Sequence, residues 1–171
     1  MLRRVKPLFA AALLTSFSLP ASAATIDLIA NMDCAQANAG AGTCGAGGSG
    51  TGLGLFTYDD VTNLLSWEIS WSGLSGTPTV QHLHGAANPD QNAGVRVNIG
   101  VAGNPVIGST VITEAYETEL LSGLWYVNLH SDAFNGGEIR GQISVVPVPA
   151  AAWLFVSGLG MLGWMRRRQL S

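Results

Sequence analysis

Lysine is nearly absent from this chain, and basic residues of any kind are few outside its two ends. Of the eight basic residues, six lie near the termini: Arg3, Arg4, Lys6, Arg166, Arg167 and Arg168. The segment 24–146 therefore sets two arginines against all 11 acidic residues, which gives it a formal charge of −9. Nucleic-acid binding requires clustered lysine and arginine to neutralise phosphates, so we expect no nucleic-acid partner.

The sequence also lacks short motifs that are typical of common enzyme sites. It has no Gly-x-Ser-x-Gly elbow to present a nucleophilic serine. Its Gly-rich stretch within 33–50 is not followed by Gly-Lys-Ser/Thr, which disfavours a phosphate-binding loop. These absences favour a non-enzymatic protein, although they leave the question of an activity open.

Residues 1–23 have the pattern of a secretory signal peptide. A basic start is followed by the apolar run Leu8–Leu19, and Ala21-Ser22-Ala23 has the small-x-small form of a cleavage site. The pattern predicts export by the general route and a mature chain that begins at Ala24. A retained membrane helix is disfavoured because the apolar run is short and ends at Pro20.

A second uncharged segment, Ala150–Met165, lies near the C-terminus. As a helix, its 16 residues would extend about 24 Å, slightly less than a hydrocarbon core of about 30 Å. Trp153 and Trp164 would lie at the two membrane interfaces, and the arginines after them would stay in the cytoplasm. We therefore expect a transmembrane helix in 147–171, with a buried core helix as the less favoured alternative.

The tail as a whole resembles a known sorting signal. It combines a proline motif, the apolar run and a stop-transfer triplet: Val146, Pro147, Val148, Pro149 and Ala150, then Arg166, Arg167 and Arg168. These residues resemble the PEP-CTERM signal in its Val-Pro-Leu-Pro-Ala variety, from which Val148 departs. The resemblance implies an exosortase-type membrane peptidase as partner. It also implies anchoring at the inner membrane first, then display at the cell-envelope surface or outside the cell.

Between the two ends, short alternating runs predict an all-β domain over 24–146. The clearest is Leu65–Trp71, in which apolar residues alternate with Ser, Glu and Ser. About eight strands are expected: Thr25–Ala30, Gly52–Tyr58, Leu65–Trp71, Thr79–Gly85, Val95–Ile99, Val106–Thr113, Leu124–His130 and Glu138–Val145. One short helix, Glu114–Leu121 with Thr113 as N-cap, is also expected. This order fits a Greek-key sandwich or barrel.

The chain has only two cysteines, Cys34 and Cys44, in a stretch of Gly, Ala and Ser that is expected to be a loop. An exported protein meets an oxidising compartment, so we expect a disulfide within this loop. Metal binding by the two thiolates is less favoured because no histidine lies nearby in the sequence.

Two blocks of sequence are similar to a known domain family. The first is His82–Ala87 with Gly94-Val95, and the second comprises Leu120–Ser131 and Asn135–Ile143. Together they resemble the chordin-type (CHRD) domain over about 25–146. The resemblance implies an all-β extracellular module, and it implies no biochemical activity.

The three histidines of the chain lie on two of the predicted strands. His82 and His84 are two residues apart on one strand, so they share a face opposite Leu83. His130 ends a second strand, on the face opposite that strand's apolar residues. If the two strands are neighbours, the three imidazoles could bind one copper or zinc ion.

This arrangement is similar to the copper half of Cu/Zn superoxide dismutase, an eight-stranded Greek-key barrel. The resemblance implies that His82, His84 and His130 are copper ligands that support superoxide-type chemistry. That enzyme needs further histidines for its second metal, so three histidines exclude a dinuclear site here. A plainer role is that the imidazoles hydrogen-bond loop carbonyls and hold Gly85–Gly94 and Asp132–Gly137 in place.

Our leading hypothesis is a non-enzymatic exported β module with a structural or binding role at the envelope or matrix. It divides the chain into a signal peptide, 1–23, a CHRD-like domain, 24–146, and a sorting and transmembrane segment, 147–171. Exopolysaccharide and other matrix components are its candidate partners. The alternative is a mononuclear copper or zinc protein with superoxide-dismutase-like chemistry.

Overall fold

A computed structural model describes residues 25–39, 44 and 48–147. The strands are β1 Thr25–Asp33, β2 Thr51–Asp59, β3 Leu64–Ser72, β4 Pro78–His84, β5 Val95–Asn98, β6 Val106–Val111, β7 Tyr126–Ser131, β8 Ile139–Gln142 and β9 Ser144–Val145. Two short helices accompany them, α1 Cys34–Ala39 and α2 Glu117–Leu121, and a 3-10 turn at Glu114–Tyr116 precedes α2.

The strands form one antiparallel sheet in the order β5-β4-β7-β8-β1-β2-β3-β6, and β9 adds to β1. The sheet curls into a half-barrel, so its two halves enclose a shared core. The prediction of an all-β fold with about eight strands is confirmed. The expected last strand, Glu138–Val145, is divided between β8, which pairs with β7, and β9, which pairs with β1.

The core follows from the alternation of apolar and polar residues in the strands. In β3, Leu65, Trp67 and Ile69 are buried, whereas Glu68 is exposed. Residues from both halves of the sheet join them in one cluster: Leu28, Met32, Phe56, Tyr58, Leu83, Trp125, Val127, Leu129, Ile139 and Ile143. Burial of each large apolar side chain stabilises the fold by roughly 1.5–3 kcal/mol.

The helices differ in part from expectation. The predicted helix is present as the 3-10 turn followed by α2, but Thr113 makes no side-chain capping bond. Helix α1 lies where only a loop was expected. Asp33 explains it, because its Oδ1 accepts the N–H of Gln36 at 2.7 Å and so caps the first turn. Because this stretch is rich in Gly and Ala, it was predicted to be a loop, and the capping role of Asp33 was not predicted.

The predicted disulfide is present between Cys34 and Cys44. The predicted signal peptide, 1–23, lies outside the described residues. So does most of the predicted tail: Val148, Pro149, Ala150, the apolar run, Arg166, Arg167 and Arg168. Val146 and Pro147 are described, and both are exposed. Over the part of the chain that the structure describes, no helix has the length and hydropathy needed to cross a membrane.

Candidate functional site

Neighbouring strands bring the three histidines together. Strands β4 and β7 pair antiparallel, with His82 opposite Asn128 and His84 opposite Tyr126. His130 lies two residues beyond Asn128 on the same face of β7, which makes it a diagonal neighbour of His82. The three histidines could meet only if their two strands were neighbours, and the structure shows that these strands are neighbours.

The spacing of the imidazoles is close to what one metal ion requires. One nitrogen from each ring lies within 4.8 Å of the other two, and His82 Nδ1 is 3.3 Å from His130 Nε2. Nitrogens bonded at about 2.0–2.1 Å to one tetrahedral ion lie about 3.3–3.4 Å apart. His82 Nδ1 and His130 Nε2 already have that separation, and a small contraction of the cluster would bring His84 into the set.

The second nitrogen of two of these rings is bound to a loop. His84 Nδ1 lies 2.9 Å from Ala93 O, and His130 Nδ1 lies 2.8 Å from Asn135 O. A carbonyl oxygen only accepts, so each Nδ1 carries the proton and each Nε2 keeps an unprotonated lone pair. The Nε2 of His130 accepts a hydrogen bond from Asn128 Nδ2 at 3.3 Å and lies 3.3 Å from His82 Nδ1. Metal-bound histidines are usually oriented in this way by their second nitrogen. The loop-holding role expected from the sequence is thus observed, and it leaves the Nε2 atoms of His84 and His130 in the unprotonated form that a metal needs.

His84 Nε2 is the ring nitrogen of the cluster that is both buried and without a hydrogen-bond partner among the described residues. A buried polar atom without a partner costs roughly 1–3 kcal/mol, so such an atom calls for a physical explanation. A metal ion bound beside His82 and His130 would supply the missing partner.

The surroundings keep these rings in the form that binds metal. Burial lowers the pKa of His82, and the neighbouring His130 lowers it further. Burial also lowers the pKa of His84, against the opposing effect of its hydrogen bond to Ala93, and the charge of Arg140 adds to the lowering. Both rings are therefore neutral near pH 7, as metal ligation requires.

A polar layer outside the sheet supports the site. The loop 85–94, called here the cover loop, lies against side chains of β7 and β8. Tyr126 Oη accepts the N–H of Ala93 at 3.1 Å, and Gln142 Nε2 donates to Ala87 O at 2.8 Å. These contacts bury Tyr126, which is 2% exposed although it lies on the face away from the core. The cover loop is thus fixed from several sides around His84.

Arg140 is the charged member of this layer, and it is 2% exposed. Its guanidinium donates to Asn88 O and to Asn92 Oδ1, both at 3.2 Å, and lies 3.5 Å from the ring centroid of Tyr126. No carboxylate is bound to it among the described residues. Its guanidinium also donates to Gln142 Oε1 at 3.3 Å, so its hydrogen bonds go to the cover loop and to a β8 side chain, and solvent has little access to it.

The two acidic residues that follow His130 in the sequence, Asp132 and Glu138, do not join the histidine cluster. Glu138 is buried and accepts the backbone N–H groups of Ser75 and Gly76. Asp132 accepts the N–H of Thr77 at 2.7 Å. Both acids hold the turn before β4. The cluster that could hold a metal in the described part of the chain consists of the three imidazoles alone.

Sequence reasoning identified the three histidines and missed the residues that support them. Tyr126 and Asn128 share a strand face with His130, which was a usable signal. Arg140 is one of only two basic residues in 24–146, and that rarity was a second signal. The sequence suggested that a histidine could hold the loop after His84, but it did not indicate that this loop also covers Tyr126 and Arg140.

A curled antiparallel sheet, a disulfide in the segment between β1 and β2, and a histidine cluster on the outer face of the sheet define an all-β module suited to an oxidising compartment. A comparison with family models agrees: the CHRD domain model matches residues 29–143, which is more than half of the chain. The chain therefore belongs to the CHRD domain family, whose domains are β modules of extracellular or secreted proteins. No curated protein and no solved structure matches the chain.

Proposed function

We propose that this CHRD domain is an exported binding module that holds one copper or zinc ion through His82, His84 and His130. The observation that carries the proposal is the convergence of three imidazole nitrogens within 4.8 Å. Two of the same rings are oriented by hydrogen bonds from their other nitrogens to loop carbonyls. The loop-holding bonds use only the Nδ1 atoms of His84 and His130, so they do not account for the unpartnered Nε2 of His84.

The donor set favours particular metals. Three neutral imidazoles without a carboxylate or thiolate suit copper and zinc far better than calcium or magnesium. His84 is buried, whereas His82 and His130 are half-buried, so the ion would lie at the outer boundary of the site. A fourth position would be open there to water or to a donor from another molecule.

We favour metal capture over turnover. Catalysis of superoxide-type chemistry would benefit from a cation accessible to the anionic substrate, and Arg140 is buried and bound to the cover loop. The carboxylates of Glu138 and Asp132, which could otherwise relay protons, accept backbone N–H groups of the turn before β4. Superoxide chemistry at the same three histidines remains the second candidate, and it would need copper rather than zinc, because the ion must change oxidation state as well as have an open position.

The proposal places the module outside the cytoplasm. The basic and apolar pattern of 1–23 supports export, and the tail 147–171 supports sorting by an exosortase-type system after anchoring in the inner membrane. The Cys34–Cys44 disulfide and the family membership are consistent with that location. At the envelope surface, the open metal position would be accessible to matrix components such as exopolysaccharide.

The test is metal analysis of purified, untagged protein after loading with copper or zinc and dialysis. We expect one ion per chain, with binding lost in His84→Ala and His130→Ala and retained in Glu68→Gln, an exposed acid on the other half of the sheet. The chain has only these three histidines, so no other histidine site can confuse the result.

Three outcomes would count against the proposal. The unmutated protein could bind no metal, the histidine variants could bind as well as the unmutated protein, or Glu68→Gln could lose binding equally. Superoxide removal by the loaded protein, above that of the free ion and absent from His130→Ala, would replace capture with turnover as the function.

A further inference from the structure

Strand β6 forms a free edge of the sheet. It pairs with β3, and no described strand lies on its other side. The N–H of Ile112 donates to Asn63 O at 3.0 Å, toward β3. Backbone direction alternates along a strand, so the N–H and C=O groups of Ile107, Ser109 and Val111 point outward from this edge. No strand of the described residues pairs with these groups, so they can pair with another β-strand.

This edge has none of the usual protections. Exposed edges are normally blunted by charge, proline, bulges or short length. Strand β6, Val106–Val111, contains neither a charged residue nor a proline. It also carries the two most exposed large hydrophobic residues of the described chain, Ile107 at 72% and Val111 at 67%.

Strand β5, at the opposite edge of the sheet, has the protections that β6 lacks. Strand β5 has only four residues, includes Arg96, and pairs with β4 through a register shift between Leu83 and His84. These are the features that prevent an edge from accepting another strand. The protection of one edge and the exposure of the other indicate that β6 is an interface.

We propose that β6 pairs antiparallel with β6 of a second copy of this chain, about a two-fold axis at Ser109. In that register, Ile107 lies opposite the second copy's Val111, and Ser109 lies opposite its own counterpart. All the outward backbone groups then find partners, because the same three residues present them in both copies.

Self-complementarity is what selects a second copy as the occupant. A shift by one residue would place Ile107 opposite Thr110, whose side chain points to the other face of the sheet. The two-fold register instead brings the exposed Ile and Val side chains together on one face and removes them from water. Each copy has a formal charge of −9 over 24–146, so two copies repel each other where their acidic residues come close. An uncharged strand such as β6 is a place where two copies can meet with less repulsion.

Cysteine cross-linking tests the register in the full-length protein. Directly opposed, hydrogen-bonded residues have Cα atoms about 5.5 Å apart, within the range that a disulfide spans. The chain's own cysteines are bonded to each other, so Ser109→Cys adds the only free thiol. We expect a reducible dimer of doubled mass for Ser109→Cys, and a monomer for Thr57→Cys, an exposed control on β2.

The mass of the unlinked protein gives a second readout. We expect a dimer by sedimentation for the unmutated, detergent-solubilised protein and a monomer for Ile107→Lys. Val95→Lys, which adds the same charge to the exposed residue of the other edge, should leave the dimer intact. A monomeric unmutated protein, equal cross-linking of Thr57→Cys, or cross-linking of Ser109→Cys to a different protein would each overturn the proposal.

Discussion

The phenol ring of Tyr126 lies parallel to the imidazole of His84, with 4.9 Å between ring centroids and 4° between ring planes. The guanidinium of Arg140 lies against the same phenol ring, 3.5 Å from its centroid. Strands β4 and β8 flank β7 on opposite sides, so Tyr126 lies between the other two side chains. The orientation of His84 is thus set by a polar stack outside the core.

Substitution of Tyr126 should weaken metal binding although it removes none of the three metal ligands. Tyr126→Leu removes both the ring stacked on His84 and the bond to Ala93, so we expect a loss of affinity of about 10–100-fold, as for other residues that orient metal ligands. Tyr126→Phe keeps the ring and should lose less. Competition titration with a chelator measures both. Equal affinities for Leu, Phe and the unmutated protein would refute the role of the stack.

Removal of Arg140 should release the cover loop. Arg140→Met loses the bonds to Asn88 and Asn92, and a bond from a charged donor contributes about 1.5–3 kcal/mol. We therefore expect amide hydrogen exchange in 85–94 to accelerate about tenfold or more.

Arg96→Met is the matched control for Arg140→Met, because Arg96 is the other basic residue of the domain and pairs with Glu119 at 3.0 Å. It should accelerate exchange near α2 and leave 85–94 unchanged. Faster exchange in the cover loop for both variants would show general loosening of the fold. That result would contradict a specific role for Arg140.

Acid should destabilise the metal-free protein and release the metal. The pKa values of His82 and His84 are lowered in the fold, so the unfolded chain binds more protons once the pH falls toward and below the ordinary histidine pKa of about 6.5. Stability is therefore complete above that pH and decreases below it. Thermal unfolding between about pH 7.5 and about pH 5 measures the effect, above the main carboxylate range.

His82→Gln provides the comparison for the pH series. The variant lacks one of the two rings with lowered pKa, so its melting temperature should depend less steeply on pH over the same interval. A slope equal to that of the unmutated protein would assign the pH dependence to other groups. Metal retention in the unmutated protein should fall over the same interval, because protons compete for the same nitrogens.

Loss of the disulfide should cost a moderate part of the stability. Cys34 and Cys44 are 10 residues apart, and closure of so short a loop stabilises a protein by about 2–3 kcal/mol. Cys34→Ser with Cys44→Ser should lower the free energy of unfolding in urea by that amount. Addition of a reductant should destabilise the unmutated protein similarly and leave the double variant unchanged. A reductant effect on the double variant would contradict this assignment.

The tail prediction concerns location alone. Replacement of Arg166, Arg167 and Arg168 by neutral residues removes the positive charge expected to hold the segment on the cytoplasmic side. We expect impaired retention or sorting, measured by fractionation of cells and medium. Neutral replacement of Arg96, the control within the domain, should leave the location unchanged. An unaltered distribution of the tail variant would refute the stop-transfer role.

Much of the fold could be read from local pattern, because alternation and turn residues act over a few positions. The strand Leu65–Trp71 was predicted nearly to its ends, and Trp125, Val127 and Leu129 were assigned correctly to the core face. The error at α1 has a local cause as well. A single capping side chain, Asp33, outweighed a composition typical of a loop.

The sequence alone determined which face of each strand the histidines occupy, because side-chain direction alternates with a period of two. It also determined that His82, His84 and His130 could make at most one metal site, since the chain has no fourth histidine. Only the tertiary structure decided that β4 and β7 are neighbours and that the cover loop returns over Tyr126 and Arg140. Those contacts join residues 33 to 52 positions apart in the sequence, and strand order and loop path depend on packing of the whole chain.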